Sequence, residues 1–227
     1  MIKAVIFDLD DTLYDEMEYC KSGFNAVARF LAGLPDAPPA ASVFDALWRQ
    51  FNAGNRTRTF NAALDQIGFS YDSALVGRLV QVYRGHEPDI TLPTESRDVL
   101  DTLADKYPLG LLTDGFLPAQ ELKVRRLRIE HYFQHILYTE RLGRQFWKPS
   151  PAGFEKLISL FGADPPTMAY VADNEKKDFI APNRLGFVTV RIIRPKRIHT
   201  ESSTQPADRA RHTIRRIGRL PALLAAL

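Results

Sequence analysis

The chain has 227 residues, of which 45% are hydrophobic and 25% charged, as expected of a globular domain with an inserted module. No run of 18 or more apolar residues occurs, so the sequence predicts no membrane-spanning helix, and the acidic start of the chain is unlike a signal peptide. A single cysteine, Cys20, excludes an internal disulfide and leaves no partner for a cysteine-based metal site. These features predict a cytoplasmic protein.

The net charge of +3 comes from the C-terminal part of the chain. Residues 191–219 hold nine Lys and Arg against two acids, which leaves 21 basic and 25 acidic residues elsewhere. No aromatic residue lies between these arginines, so a stacking surface for single-stranded nucleic acid is missing. We interpret the segment as a solvated, partly mobile tail and expect neither nucleic acid nor a membrane as partner.

Short apolar runs alternate with helical patterns along most of the chain. Such alternation implies crossover connections, and it predicts an α/β fold with a Rossmann-like, three-layer α/β/α core around a parallel sheet. The predicted strands span residues 2–7, 109–113, 135–139, 169–172 and 188–192. Between the later strands, Pro118 opens one predicted helix, and another has Ser150 as N-cap, Pro151 at its first position and Gly162 as its end.

Residues 16–87 break this alternation because they contain no convincing strand. Four stretches carry apolar residues at three- and four-residue spacings, separated by breaks that contain Pro or Gly. Four amphipathic helices bury their apolar faces against one another, so we predict an inserted helical cap at 16–87 and a catalytic core of 1–15 and 88–227. Near the end of the chain, the sequence predicts a flexible loop at 199–208 and a final helix.

Polar side chains follow the predicted strands, at the edge where open parallel sheets bind their ligands. They are Asp8 and Asp10 after the first run, Thr113, Asp114 and Gly115 after the second, and Asp173 and Asp178 after the fourth, with Lys148 just before a predicted helix. Each has an ordinary alternative, as a turn, a helix cap or a solvated helix face. Carboxylates gathered at one edge repel one another unless a cation neutralises them, and this donor set favours Mg²⁺ over zinc.

A magnesium ion held by few carboxylates is typical of phosphoryl transfer. The sequence has no G-x-x-x-x-G-K-[ST] loop and no G-x-G-x-x-G after a strand, which disfavours a nucleoside triphosphatase and a dinucleotide enzyme. Covalent catalysis by a carboxylate, through an aspartyl-phosphate, is the remaining chemistry.

Four motifs in this order resemble the haloacid dehalogenase-like hydrolase superfamily, in the phosphoglycolate phosphatase-like subclass with a helical cap between the first two motifs. They are FDLDDTL, GLLTDG, KPSPAGF and VADNEKKD, and the ending HTIRRIGRLPALL is similar to the family's closing helix. The resemblance covers the chain from its start to about residue 192. One departure is Ala172, where the family usually has glycine.

The resemblance implies a role for each acid. Asp8 would be the nucleophile, and Asp8, Asp173 and the backbone carbonyl of Asp10 would hold Mg²⁺. The side chain of Asp10 would protonate the leaving group and then deprotonate the attacking water. Asp178 would brace the metal site.

The resemblance also implies how phosphate is held. Thr113, with the backbone amides of Asp114 and Gly115, would bind phosphate oxygens, and Lys148 would offset negative charge on the nucleophile and the phosphoryl group.

Three other functions stay open at this point. The founding dehalogenases of the superfamily share the nucleophile but need neither an acid at the second position nor a metal, so Asp10 and Asp173 favour a phosphatase. A phosphomutase would use the same groups. A catalytically silent binding protein on this fold would be expected to lack one of the motif's chemical groups, whereas Asp8, Asp10, Lys148 and Asp173 are all present.

The substrate would be selected by the cap and by the loop after Asp8. Tyr14, Asp15, Arg56 and Arg58 are candidates, because the two arginines could pair with a second anionic group. The ordinary alternative for the arginines is that of exposed helix-cap residues. A cap of this size predicts a small metabolite: a sugar phosphate, a phosphoglycolate-like acid or a nucleoside monophosphate.

Overall fold

A computed structural model describes residues 1–227. The chain forms two compact units, one of Met1–Met17 with Thr91–Leu227 and one of Glu18–Ile90. The first unit contains the sheet, and the second is helical. No helix combines the length and the apolar character needed to cross a membrane.

Six parallel strands form one sheet, in the order β3-β2-β1-β4-β5-β6. The strands are β1 Ala4–Phe7, β2 Leu109–Thr113, β3 His135–Tyr138, β4 Met168–Ala172, β5 Val188–Ile192 and β6 His212–Ile214. In β1, β2 and β4 every residue is buried, because helices cover both faces of a parallel sheet. The α/β prediction is therefore confirmed.

Nine α-helices accompany the sheet. They are α1 Glu16–Ala32, α2 Ala40–Asn52, α3 Thr59–Gln66, α4 Ser73–Gly85, α5 Thr94–Ala104, α6 Ala119–Leu127, α7 Ala152–Phe161, α8 Ile180–Leu185 and α9 Leu220–Ala225. In the sheet unit, the ring of Phe154 from α7 packs edge-on against Tyr170 of β4, with centroids 4.8 Å apart, and against Phe187 at 5.8 Å. These aromatic contacts fix α7 against the sheet.

The helical unit has an aromatic core. The ring of Phe24 on α1 lies 5.5 Å from Phe51 of α2 and 5.4 Å from Tyr83 of α4, measured between centroids. Gly23 makes this approach possible, since a Cβ at that position would lie 2.5 Å from the Tyr83 ring. The helices predicted within 16–87 are present, and their apolar faces meet as the spacing predicted.

The predicted final helix is wrong in its first part. His212–Ile214 form strand β6, in which His212 pairs with Val190 and Ile214 with Ile192 of β5. Pairing satisfies backbone groups on the open edge of β5, a gain that weak local helix propensity does not match. The helix begins only at Leu220, where Pro221 is tolerated because the first turn needs no N–H from it.

Two predicted helix starts are displaced by a residue, and one of them is that of α6, which begins at Ala119 with Pro118 in the cap position. Helix α7 begins at Ala152 with Pro151 in the cap position, so Ser150 is not the N-cap, although its Oγ accepts a 3.4 Å hydrogen bond from the Ala152 N–H. The end of the helix is as predicted, because Gly162 takes the left-handed conformation with φ of 58°.

Part of the basic segment is buried rather than solvated, so that interpretation is wrong for its first residues. Arg191 is 4% exposed and pairs with the buried Glu175 at 2.9 Å. Arg194 donates to the Thr12 carbonyl at 3.1 Å and contacts Asp15 at 3.3 Å. A buried guanidinium requires such partners, and here they attach the segment to the loops that follow β1 and β4.

Candidate active site

The loops after β1, β2 and β4 meet at one edge of the sheet. β1 lies between β2 and β4, and all three strands run parallel, so their carboxyl ends are neighbours. Asp8 extends the pairing of β1, since its N–H donates to the Val171 carbonyl at 2.9 Å. This topology brings Asp8, Thr113 and Asp173 together.

Lys148 lies at the centre of the acidic residues. Its Nζ is 2.7 Å from Asp8 Oδ1 and 2.8 Å from Asp178 Oδ1, and it donates to the Tyr170 hydroxyl at 3.0 Å. The lysine side chain is 1% exposed. Burial disfavours its ammonium form, but Asp178 and Asp8 outweigh that effect and hold the pKa of Lys148 well above its usual value. Lys148 is therefore a fixed positive charge beside Asp8.

Three buried carboxylates form a candidate metal site. Asp8, Asp173 and Asp178 each offer an oxygen, and these oxygens lie within 4.8 Å of one another. Asp173 Oδ2 is buried without a hydrogen-bond partner, which is costly for a carboxylate oxygen unless a cation completes its contacts. An all-oxygen donor set without nitrogen or sulfur fits a hard divalent cation.

The pKa values reflect this crowding of charge. Burial raises the pKa of Asp8 to about 6, although Lys148 opposes the shift. Burial, together with the charges of Asp178 and Asp8, raises the pKa of Asp173 well above its usual value. For Asp178, Lys148 and Lys177 overcome the effect of burial and lower the pKa. Ionisation is therefore disfavoured at Asp8 and Asp173, as expected for buried carboxylates that gather where a metal binds.

The loop after β2 is held from both sides. Asp114 Oδ1 accepts hydrogen bonds from the Thr139 hydroxyl at 2.8 Å and the Lys148 N–H at 3.3 Å. Gly115 has a φ of 141°, and a Cβ there would lie 2.7 Å from the Gln120 side chain. Glycine is therefore required for the loop to turn this closely over helix α6.

Asp10 lies beside this loop and has three buried partners. Its Oδ1 accepts from Tyr14 Oη at 2.5 Å and Lys123 Nζ at 2.8 Å, and its Oδ2 accepts from Gln120 Nε2 at 2.8 Å. Burial would raise the pKa of Asp10, but Lys123 and the three hydrogen bonds lower it below its usual value. The turn that places Asp10 uses Asp11 in the left-handed region, with φ of 52°, a conformation that Asp tolerates better than most residues.

A second cation, Lys177, was missed by sequence reasoning. Its Nζ lies 3.3 Å from Asp114 Oδ2 and 3.6 Å from Asp178 Oδ1, with 30% of the side chain exposed. In the sequence, a solvated helix face is the ordinary alternative for NEKKD, and of its residues only Asp178 was predicted to belong to the site. Gln120 and Lys123 were missed as well; their three-residue spacing, directly after the TDG turn, is the signal that could have identified a shared helix face.

The four candidate specificity residues lie in two units, and Asp15, in the sheet unit, contacts Arg194 at 3.3 Å. Tyr14 is fully buried and belongs to the sheet unit, where it contacts Asp10. Arg56 and Arg58 are exposed residues of the helical unit, between α2 and α3. Arg56 lies over the Phe51 ring, 3.6 Å from its centroid, and Arg58 immediately precedes α3.

Comparison with known proteins agrees with the motifs. A family model for haloacid dehalogenase-like hydrolase matches residues 2–186. A protein of Methanopyrus kandleri named glyceraldehyde 3-phosphate phosphatase is 33% identical over 204 residues, 86% of each chain. One of the same name from Methanocaldococcus jannaschii is 27% identical, over 86% of this chain and 87% of its own.

A solved structure shows the same fold over the whole chain. The 2-haloacid dehalogenase from Pseudomonas syringae pv. Tomato DC3000 superposes with a TM-score of 0.69 and 25% identity, covering 100% of this chain and 99% of that one. With a family model that matches most of the chain and a relative at 33% identity, the resemblance is confirmed: this chain belongs to the haloacid dehalogenase-like hydrolase family.

Proposed function

We propose that this chain is a magnesium-dependent phosphatase that hydrolyses a small phosphorylated metabolite through an aspartyl-phosphate on Asp8. The observation that carries the proposal is the buried cluster in which Asp8 contacts Lys148 and lies with Asp173 and Asp178 in a candidate cation site. The names of the relatives, as glyceraldehyde 3-phosphate phosphatases, agree with this chemistry.

The reaction would proceed in two steps. In the first, an Asp8 carboxylate oxygen bonds to phosphorus while the bond from phosphorus to the ester oxygen breaks, and the Asp10 carboxyl group gives its proton to that oxygen. Because Lys123 favours the ionised form of Asp10 in the free protein, Asp10 would take up this proton with the substrate, whose negative phosphate charge raises the pKa of a neighbouring carboxyl group. In the second, the Asp10 carboxylate takes a proton from water and the water oxygen bonds to phosphorus, while the bond between phosphorus and the Asp8 oxygen breaks, which releases phosphate and regenerates the Asp8 carboxylate. Lys148 would hold the Asp8 oxygen and offset the charge that develops on the phosphoryl group.

Asp8, Asp173 and the backbone carbonyl of Asp10 would hold Mg²⁺, with Asp178 bracing the site through Lys148 and the Asn174 N–H. The ion, when bound, neutralises carboxylate charge and polarises the phosphoryl oxygens. The Thr113 hydroxyl and the amides of the next two residues would bind phosphate oxygens.

Substrate selection would involve the helical unit, which we propose as the cap, and the loop after β1. Tyr14, Asp15, Arg56 and Arg58 are the proposed selectivity residues, and Tyr14, which is fully buried, would act through its contact with Asp10. Among small phosphorylated metabolites, glyceraldehyde 3-phosphate is the first compound to test because the relatives at 33% and 27% identity carry its name.

A dehalogenase is the second candidate, because the fold matches a 2-haloacid dehalogenase over the full chain. In that reaction a halide leaves as an anion and needs no proton. Three hydrogen bonds hold the Asp10 carboxyl group at the site. Dehalogenation does not use this group as an acid, whereas an alkoxide leaving group requires protonation. This contact set favours phosphate esters.

The test is phosphate release from glyceraldehyde 3-phosphate and from 4-nitrophenyl phosphate, with Mg²⁺ and with EDTA. We expect release only with Mg²⁺, and none from Asp8→Asn. The exposed Asp105→Asn is the matched control in the same unit and should keep wild-type activity. Folded wild-type protein that releases no phosphate from either ester, or halide release from a 2-haloacid without metal, would contradict the proposal.

A further inference from the structure

Helix α6 presents two polar side chains to the interior of the protein. Gln120 is 2% exposed and Lys123 is 3% exposed, while Val124 and Leu127 of the same helix pack in the core. Residues three apart lie on one helix face, so both polar groups point to the same place. Burying an amide and an ammonium costs several kcal/mol unless each has a partner, and apolar side chains would pack the helix at lower cost. Their burial therefore needs a reason other than packing.

Asp10 is the partner that they share. Lys123 Nζ donates to Oδ1 at 2.8 Å and Gln120 Nε2 donates to Oδ2 at 2.8 Å, while the Tyr14 hydroxyl donates to Oδ1 at 2.5 Å. Hydrogen bonds to both oxygens, from two directions, define the position of the carboxyl plane as well as of its carbon. A short side chain on a turn after a strand would otherwise be free to rotate.

Gln120 also connects Asp10 to the loop after β2, which is proposed to bind phosphate. The same Nε2 donates to Thr113 Oγ1 at 2.6 Å, and the Gln120 side chain lies under Gly115, where a Cβ would be 2.7 Å away. One amide thus sets the separation between the hydroxyl proposed to hold the phosphoryl group and the carboxyl proposed to serve the ester oxygen. Because Thr113 would hold the phosphoryl group, this separation also sets the distance between the Asp10 carboxyl group and the ester oxygen. Proton transfer requires about 2.6 to 3.2 Å between those two heavy atoms.

We propose that Lys123 and Gln120 are positioning residues for proton transfer by Asp10, with Tyr14 as the third contact. The inference rests on the proposed phosphatase reaction, in which the Asp10 proton moves to the ester oxygen as its bond to phosphorus breaks. The two residues do not contact phosphorus or Mg²⁺; they act by holding one carboxyl group at a fixed distance from Thr113.

This role makes a prediction that a general loss of structure does not. 4-Nitrophenolate is a stable anion and leaves phosphorus without a proton, whereas the alkoxide of glyceraldehyde 3-phosphate must be protonated as it leaves. The ratio kcat/KM includes only the steps up to phosphoryl transfer to Asp8, so it reports the acid role separately from the later hydrolysis. Displacing Asp10 should therefore lower kcat/KM for the alkyl ester far more than for the aryl ester.

The experiment compares kcat/KM for both esters in Lys123→Met and Gln120→Leu. We expect losses of about 100-fold for glyceraldehyde 3-phosphate, the size of a misplaced general acid, and less than about 5-fold for 4-nitrophenyl phosphate. Lys123→Arg should recover at least about 10-fold of the alkyl-ester loss, since it restores a charged donor. Arg126→Met removes an exposed cation from the same helix and should leave both values at wild type.

The outcomes separate the two levels of the proposal. Wild-type protein that hydrolyses neither ester overturns the proposed function, and this inference with it. Active wild-type protein whose Lys123 and Gln120 variants lose activity equally on both esters, or on neither, overturns the positioning role alone.

Discussion

Replacing Lys148 by methionine removes the one cation that contacts both Asp8 and Asp178. Its Nζ is within 2.8 Å of both carboxylates, and the lysine side chain is 1% exposed. Removing one partner of a buried ion pair costs about 3 to 5 kcal/mol because the remaining charge is left uncompensated. For a chain of this size we expect the melting temperature to fall by about 6 to 20 °C.

The assay is urea unfolding followed by circular dichroism, in EDTA so that no divalent cation replaces the lost charge. Lys156→Met is the control, because it makes the same substitution at an exposed position of α7 and should change the free energy of unfolding by no more than about 0.5 kcal/mol. A loss below about 1 kcal/mol for Lys148→Met would refute the claim that this ion pair is a major stabilising contact in the metal-free protein.

Acid pH tests the electrostatic cause. The pKa of Asp8 is raised to about 6 even with Lys148 present, so below that pH Asp8 is protonated and needs no cation. The destabilisation by Lys148→Met should therefore be smaller at about pH 5 than at about pH 8. Equal destabilisation at both values would mean that lost packing of the lysine stem, rather than unpaired charge, causes the effect.

Three further predictions concern neighbouring residues. Burial and the Asp10 charge raise the pKa of Glu16 from 4.5 to about 8, so the folded state loses stability as pH rises through that range. In urea unfolding, Glu16→Gln should therefore lose less stability than wild type between about pH 5 and pH 9. Equal losses in the two proteins would contradict this prediction. Asp173→Asn should weaken Mn²⁺ binding, measured by calorimetry, by at least about 10-fold, and unchanged affinity would remove Asp173 from the metal site. Gly115→Ala should destabilise the protein by about 1 to 3 kcal/mol and weaken inhibition by phosphate, because φ is 141° and the new Cβ meets Gln120; a wild-type melting temperature would argue against that steric role.

The sheet was predictable where the signal is local. Buried parallel strands are continuous apolar runs, and each of the five predicted runs contains a strand. The sixth, His212–Ile214, has three residues and no apolar run, and it forms because the edge of β5 offers backbone partners. Such a strand depends on a neighbour that is distant in sequence, which a local pattern does not reveal.

The same distinction applies to the site. Asp8, Thr113 and Asp173 were found because their position at a strand end is visible in the sequence. Gln120 and Lys123 lie on a helix, where polar residues ordinarily face solvent, and only the packing of α6 shows that these two face inward.

The nucleophile Asp8 alone does not distinguish a phosphatase from a dehalogenase, but the charges of the surrounding cluster favour a phosphatase. Four carboxylates face two ammonium groups: Asp8, Asp114, Asp173 and Asp178 with Lys148 and Lys177. When fully ionised, the cluster lacks two positive charges, which is the charge of one magnesium ion. Displacement of a halide from carbon by a carboxylate needs no cation, so a dehalogenase does not require this missing positive charge. A phosphoryl group adds negatively charged oxygens, which bind favourably only after a cation has neutralised the excess negative charge of the cluster. The balance of charge around Asp8 therefore favours a site that takes up a divalent cation first and a phosphate ester second.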